Sequence, residues 1–271
     1  MAVGADGLAH AAGREWRRAR QALTAGRYPA GCRRDLHAVV GELGEVTGWL
    51  LFDAGRPGLA RRVLSDALLV SQSAGDNGMV QLQLSLLAML DQQEGRFKAA
   101  RVRAGRGLAL GARGGRVEAM HRLRLGRALA SLGSREGLTE LDRAAVLLDH
   151  PRMDEPVWTW WLTGAELALH RGQAAGAVGD RTAAVELTRQ AVDRLPATQP
   201  RDRAIYLVRH LRTAMAAGAW DAAGVAAGDL VAVCDQLRSG RLVTATRQAL
   251  GQARRVSAPT AVVDTLHAVT G

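Results

Sequence analysis

The sequence predicts an all-α chain. The expected architecture is a right-handed α-solenoid of about five to six stacked helical hairpins. Three observations carry this expectation. Ala, Leu, Arg, Glu and Gln dominate, and strand-like alternation of β-branched and aromatic residues is nearly absent. Apolar residues recur at three and four, as in Leu59, Val63, Ala67 and Val70, and again in Leu82, Leu86, Met89 and Leu90. Glycines close the helices at a near-regular interval: Gly55, Gly95, Gly133, Gly179 and Gly218 are separated by 40, 38, 46 and 39 residues.

Taken in order, residues 1–13 read as a loose tail and 14–271 as one continuous repeat domain. REWRRARQALTAGRY, which opens at Arg14, reads as an amphipathic helix, and about a dozen helices are expected in all. Two columns of small residues flank the turn glycines. Seven residues before each lie Gly48, Ala88, Gly126, Gly172 and Leu211; five after lie Ala60, Ala100, Leu138, Ala184 and Ala223. Small residues at matched positions let the two helices of a hairpin approach closely. The long interval from Gly133 to Gly179 exceeds its neighbours by about two helical turns, an excess that keeps a helical face in phase. DHPRMDEP at 149–156 and LPATQP at 195–200 read as loops.

Composition excludes several classes. Apolar runs such as Leu84–Leu90 are shorter than the ~20 residues that span a bilayer, and the first residues lack the basic start and apolar core of a secretory signal. Cys32 and Cys234 form neither a disulfide framework nor a zinc pattern, so a reducing cytoplasm is expected. The net charge is +10, but Lys98 is the only lysine. Abundant arginine, alanine and glycine together read as GC-rich codon usage, so the charge alone argues little for nucleic acid.

The motifs that could carry chemistry are isolated. Glu118 and His121 make a single Glu-x-x-His, where a di-iron bundle needs two such pairs. Glu166 and His170 sit at i and i+4 and read as a surface pair. The stretch 101–127 holds eight arginines against one acid, Glu118, and is the strongest electrostatic patch in the chain. It has no Gly-x4-Gly-Lys-Ser/Thr, and Leu110 breaks a dinucleotide fingerprint. Trp158, Trp160 and Trp161 lie close together. On a helix Trp158 and Trp161 share a face, for core packing or for a ligand wall. The expectation is therefore a chain that is not an enzyme and uses no cofactor or metal.

The block Asp35–Asp76, DLHAVVGELGEVTGWLLFDAGRPGLARRVLSDALLVSQSAGD, resembles the first repeats of the tetratricopeptide-like domain found in XRE-type helix-turn-helix transcriptional regulators of high-GC bacteria. WTWWLTGAELA from Trp158, RAIY at 203–206 and SGRL at 239–242 fit the same family in order, and the resemblance covers roughly residues 14–255. About thirty residues precede Asp35, and they lack the short helices of a DNA-reading fold. The resemblance thus implies a free-standing repeat domain, or a start assigned downstream of the true one, with direct DNA binding disfavoured.

In such solenoids the first helix of each hairpin lines a concave groove. Positions six before the turn glycine are then Trp49, Met89, Arg127, Gln173 and Arg212, and positions three before include Phe52 and Gln92, with Asp53 alongside. Together with Trp158, Trp161 and Glu166 these are the candidate binding residues. The function the resemblance implies is a regulatory or protein-interaction module, the sensor or dimerisation part related to a transcriptional regulator. Its partner would be a protein, a peptide or a small acidic ligand, with no membrane contact, and pairing of terminal helices would give a homodimer. The competing expectation is a nucleic-acid-binding regulator that uses the 101–127 arginines.

Overall fold

The same five glycines that set the sequence period set the geometry of the turns. Gly55, Gly95, Gly133, Gly179 and Gly218 all take positive φ, between 73° and 95°. This is the left-handed region open to glycine. In each case the residue after the glycine donates its N–H to the carbonyl five residues before itself: Arg56 to Leu51, Arg96 to Asp91, Ser134 to Leu129, Asp180 to Ala175 and Ala219 to Ala214, at 2.7–3.0 Å. This Schellman-type bond satisfies a helix-end carbonyl and reverses the chain. Each next helix then starts within a few residues.

The computed structural model describes residues 5–26, 28–111, 114–196, 198–234 and 240–270. Among them are thirteen α-helices, two single 3-10 turns and no strand. The chain divides into two compact units, one of residues 1–112 with 239–241, the other of 113–238 with 242–271. Periodicity gave no hint of that division, because the hairpin register continues on both sides of it.

In the first unit, α1 (Ala5–Ala25), α2 (Arg33–Asp53), α3 (Pro57–Ala74), α4 (Asn77–Gln93) and α5 (Phe97–Ala109) pack each on the next. Residues 5–13 of the expected tail are part of α1, and residues 1–4 lie outside the described residues. Ala9 is buried and so is Trp16, whose ring lies against Gly44, with Val40 and Ala67 in the same apolar cluster. Asp91 of α4 is 1% exposed and holds three arginines: Arg61 at 2.5 Å, Arg96 at 3.0 Å and Arg103 at 2.7 Å. One buried carboxylate thus ties α3, α4 and the start of α5 together.

In the second unit the helices are α6 (Gly115–Ser131), α7 (Glu136–Asp149), α8 (Gly164–Ala177), α9 (Arg181–Asp193), α10 (Pro200–Ala217), α11 (Trp220–Cys234), α12 (Gly240–Arg255), whose first two residues count with the first unit, and α13 (Thr260–Thr270). The hairpins are α6/α7, α8/α9 and α10/α11, and α8 also packs on α6, α7 and α10. The fold is therefore all-α, built as stacked helical hairpins in each unit. Leu169, Leu207, Leu211, Met215 and Leu230 form the core of α8, α10 and α11.

The small-residue columns act as expected, with one refinement. A Cβ at Gly48 would meet Leu64 at 2.5 Å, and one at Gly172 would meet Thr188 at 2.7 Å. In the α6/α7 hairpin the partner of Gly126 is Gly137 rather than Leu138, one residue earlier. The long interval has a different cause from the one expected. Its extra residues lie outside the helices, in the segment between Asp149 and Gly164 that contains the 3-10 turn Val157–Thr159. No helical phase is preserved because no helix is lengthened.

Glu45 on α2 is half-buried and has no hydrogen-bond or ion-pair partner among the described residues. Burial, with the like charge of Glu42, raises its pKa from 4.5 to about 7. Between those values the folded chain binds more protons than the unfolded one. The stability contributed by neutral Glu45 is complete below pH 4.5 and is lost as pH rises through 7. Glu45→Gln should therefore be more stable than the parent at pH 8 and nearly equal to it at pH 5, read as urea midpoints. An unchanged difference between the two pH values would contradict this.

Candidate functional site

The groove residues expected in the first unit are mostly interior. Phe52, Asp53 and Met89 are 4%, 4% and 8% exposed. Positions three before the turn glycine lie in the last turn of the helix, where the hairpin closes, so Phe52, Ala130 and Met215 are buried. Met89 belongs to α4, whose residues 79–91 are buried throughout, and Gln92 is half-buried beside it. Trp49 alone is exposed, at 38%. Its ring lies 5.6 Å from that of Phe52, and the Arg241 guanidinium sits 4.7 Å from the Phe52 ring and 5.8 Å from the Trp49 ring. Arginine stacked on aromatics in this way is largely a packing contact.

The arginines of 101–127 divide between α5 of the first unit and α6 of the second, and several are committed to structure, while Arg113 lies outside the described residues. Arg103 binds Asp91. Arg116 donates to the carbonyls of Thr159 and Leu162, at 3.3 and 2.8 Å. Arg122 bridges Glu118 and Glu140 between α6 and α7. The Glu118–His121 motif is thus a salt-bridge residue next to a fully buried histidine, which burial holds near pKa 4.

Three of the expected residues, Arg127, Trp161 and Glu166, do come together, with partners that the sequence reading passed over. Arg124 and Arg127 come from α6, Glu166 and His170 from α8, and Tyr206 and Arg209 from α10. Glu166 is not a surface carboxylate, as its side chain is only 15% exposed. His170 Nε2 meets its Oε1 at 3.0 Å, and the Tyr206 hydroxyl donates to its Oε2. Both carboxylate oxygens are therefore engaged. Arg124, 2% exposed, lies 5.2 Å from the centre of the Trp161 ring, a stacking that shields its charge from water.

Electrostatics define the state of this cluster. Burial alone raises the pKa of Glu166, but the bond from His170 and the charges of Arg209 and Arg124 outweigh it and hold the carboxyl well below its usual range. Burial pushes His170 down to about 4 despite Glu166, so the ring is neutral at pH 7. Its Nε2 then carries the proton toward Glu166, and the enclosed Nδ1 has no partner. Burial and the like charge of Arg209 bring Arg124 and Arg127 down to about 10, still protonated. Burial also raises the pKa of Tyr206, which stays a hydroxyl.

Arg127 is the anomaly. Its Nε and Nη1 are enclosed, and no described residue accepts a hydrogen bond from either. An unpaired buried donor on a charged group costs more than the roughly 1–3 kcal/mol of a neutral one. Arg209 is half-buried and likewise has no hydrogen-bond or ion-pair partner among the described residues.

The remaining expected residues lie outside this cluster. Gln173 is half-buried on α8, and Arg212 is exposed on α10, where it exchanges hydrogen bonds with Gln252 at 3.1 and 2.9 Å. Trp158 and Trp161 do not lie on a long helix, since Val157–Thr159 is a 3-10 turn and α8 begins at Gly164. The missed signal was a column. Nine before the turn glycines stand Arg124, His170 and Arg209, one turn back from the six-before positions on the same helix face.

No family model matches the chain, and no curated protein matches it. Among solved structures it is similar to BtubC (BKLC) from P. vanneervenii, with a TM-score of 0.54 and 18% identity over 82% of this chain and 91% of that one. At that identity the likeness concerns the fold alone.

Proposed function

We propose that the chain is a non-enzymatic binding module whose second unit takes an acidic ligand on Arg127 and Arg209, with Arg124 behind them. The observation that carries this reading is the pair of enclosed, acceptorless N–H groups on Arg127, next to two more arginines and one fully engaged carboxylate. A fold has no structural reason to hold such a group, because a methionine of similar volume would pack there without the penalty. Function supplies a reason, since unsatisfied charge is what binds a counter-charge. By the family resemblance, the module would be the sensing part related to a transcriptional regulator, acting in the cytoplasm through a partner protein. No helix among the described residues is long and apolar enough to cross a membrane. Arg103, Arg116 and Arg122 are spent on internal contacts, which weighs against the nucleic-acid reading.

The test is ligand-induced thermal stabilisation. Inorganic phosphate, succinate and a short Glu-rich peptide are each added to the parent and to Arg127→Met. At least one anion should raise the melting temperature of the parent in proportion to RT ln(1 + [L]/Kd) and leave Arg127→Met unmoved. Equal responses from both proteins to every anion would remove the proposal.

A further inference from the structure

The cluster on α6, α8 and α10 also constrains the charge and shape of its ligand. Arg124, Arg127 and Arg209 supply three positive charges against Glu166 and, one turn before Tyr206 on α10, Asp202, and His170 is neutral at pH 7, so positive charge is in excess. A single carboxylate would neutralise one of the three. The unpaired donors are also several: Nε and Nη1 of Arg127 and the guanidinium of Arg209. They come from two different helices and converge electrostatically, since the charge of Arg209 acts on Arg127. A compact group with a double charge and three acceptor oxygens satisfies both counts, and guanidinium groups match its geometry.

From this we infer that Arg127 and Arg209 bind the dianionic phosphoryl group of a phosphate monoester. The inference rests on the proposed function above and narrows it to one ligand chemistry. Glu166 does not supply an acceptor to Arg127 Nε or Nη1, and its two oxygens each take one bond, from His170 and from Tyr206. Its charge acts on Arg124 and Arg209 and offsets part of theirs.

The ligand's own ionisation provides the test. A phosphate monoester passes from one negative charge to two near pH ~6. The groups facing the ligand stay fixed over that range. His170 titrates near 4, Arg124 and Arg127 stay protonated to about 10, Glu166 stays ionised and Tyr206 stays neutral. Calorimetric titrations with glycerol 2-phosphate and with succinate at pH 5.5 and 7.5 separate the outcomes. The phosphate ester should bind the parent at least tenfold more tightly than succinate at pH 7.5. Its affinity should fall severalfold at pH 5.5. Arg127→Met and Arg209→Met should each lose at least tenfold, and their circular-dichroism melts establish that they fold. Succinate binding equal to or tighter than the ester overturns the phosphate assignment while leaving an acidic-ligand site in place. Parent affinities no higher than those of the two variants, for both ligands, overturn site and assignment together. A phosphoserine peptide beside its unphosphorylated form distinguishes a modified side chain from a small phosphoester. Tighter binding of the phosphopeptide than of glycerol 2-phosphate assigns the former, and the reverse order assigns the latter.

Discussion

Gly126→Ala lowers the stability of the second unit by about 2–3 kcal/mol, although alanine is the better helix former by roughly 1 kcal/mol. The added Cβ would fall 2.6 Å from the carbonyl oxygen of Gly137 and 2.8 Å from Leu141 Cγ. The first of these is backbone and cannot rotate away, so α6 and α7 must separate. That separation strains the Arg122 bridge to Glu140 and loosens the packing of Leu141, which is fully buried. The control is Gly228→Ala on α11, where an added Cβ meets nothing within 4 Å and the helix propensity gain stands alone. Gly228→Ala should match or exceed the parent in thermal midpoint, and Gly126→Ala should fall well below it. If the two variants shift together, the close approach of α6 and α7 is not what requires glycine at 126.

Gly126 also shows why the hairpins could be read from the sequence and much of the site could not. A turn glycine and a pair of small residues are local signals, each imposed by a backbone that must reverse or approach at a known offset. They recur because each hairpin solves the same steric problem. The groove was inferred from the same register, and there the offset was one turn out. Six before the glycine lie Arg127, within the cluster, but also Met89, in a helix buried on every side. Which face of a helix is free depends on what packs against it, and that differs between α4 and α6. The column nine before the glycine, with Arg124, His170 and Arg209, was visible in the sequence but carried no meaning until α8 was placed between α6 and α10. The tryptophans lie outside the long helices for a related reason: the Pro156 that precedes Trp158 and the Thr163 cap that follows Trp161 leave only a 3-10 turn between them. Residues 5–13 looked like a tail because they are rich in alanine and glycine, which are also what lets Ala9 reach a buried position on α1.

Within the cationic cluster, two single substitutions should move stability in opposite directions. Glu166→Gln removes a buried negative charge that acts on Arg124 and Arg209, together with a charged acceptor for His170 and Tyr206. Losing hydrogen bonds to a charged group costs about 1.5–3 kcal/mol. The amide can still accept from His170 Nε2 with its oxygen, but its NH2 must then donate to the Tyr206 hydroxyl, which reverses that bond and leaves the hydroxyl proton to be rehoused. Arg127→Met takes away a charge that has no partner, and in buffer without multivalent anions it should leave stability unchanged or raise it by roughly 1–3 kcal/mol. A cluster kept for structure would behave in the reverse way, because each arginine would then be tied to an acceptor and each removal would hurt. Urea midpoints of the two variants and of their combination decide between these cases. In the combination, Arg127→Met should recover part of the loss caused by Glu166→Gln, since it lowers the charge that Glu166 had balanced. That recovery is a coupling between neighbours and should appear as clear non-additivity. Glycerol 2-phosphate added to Glu166→Gln alone should produce the same recovery by supplying the missing negative charge from outside. If Arg127→Met instead destabilises as much as Glu166→Gln does, Arg127 is a structural cation, and the argument that its unpaired N–H groups are kept for a ligand fails.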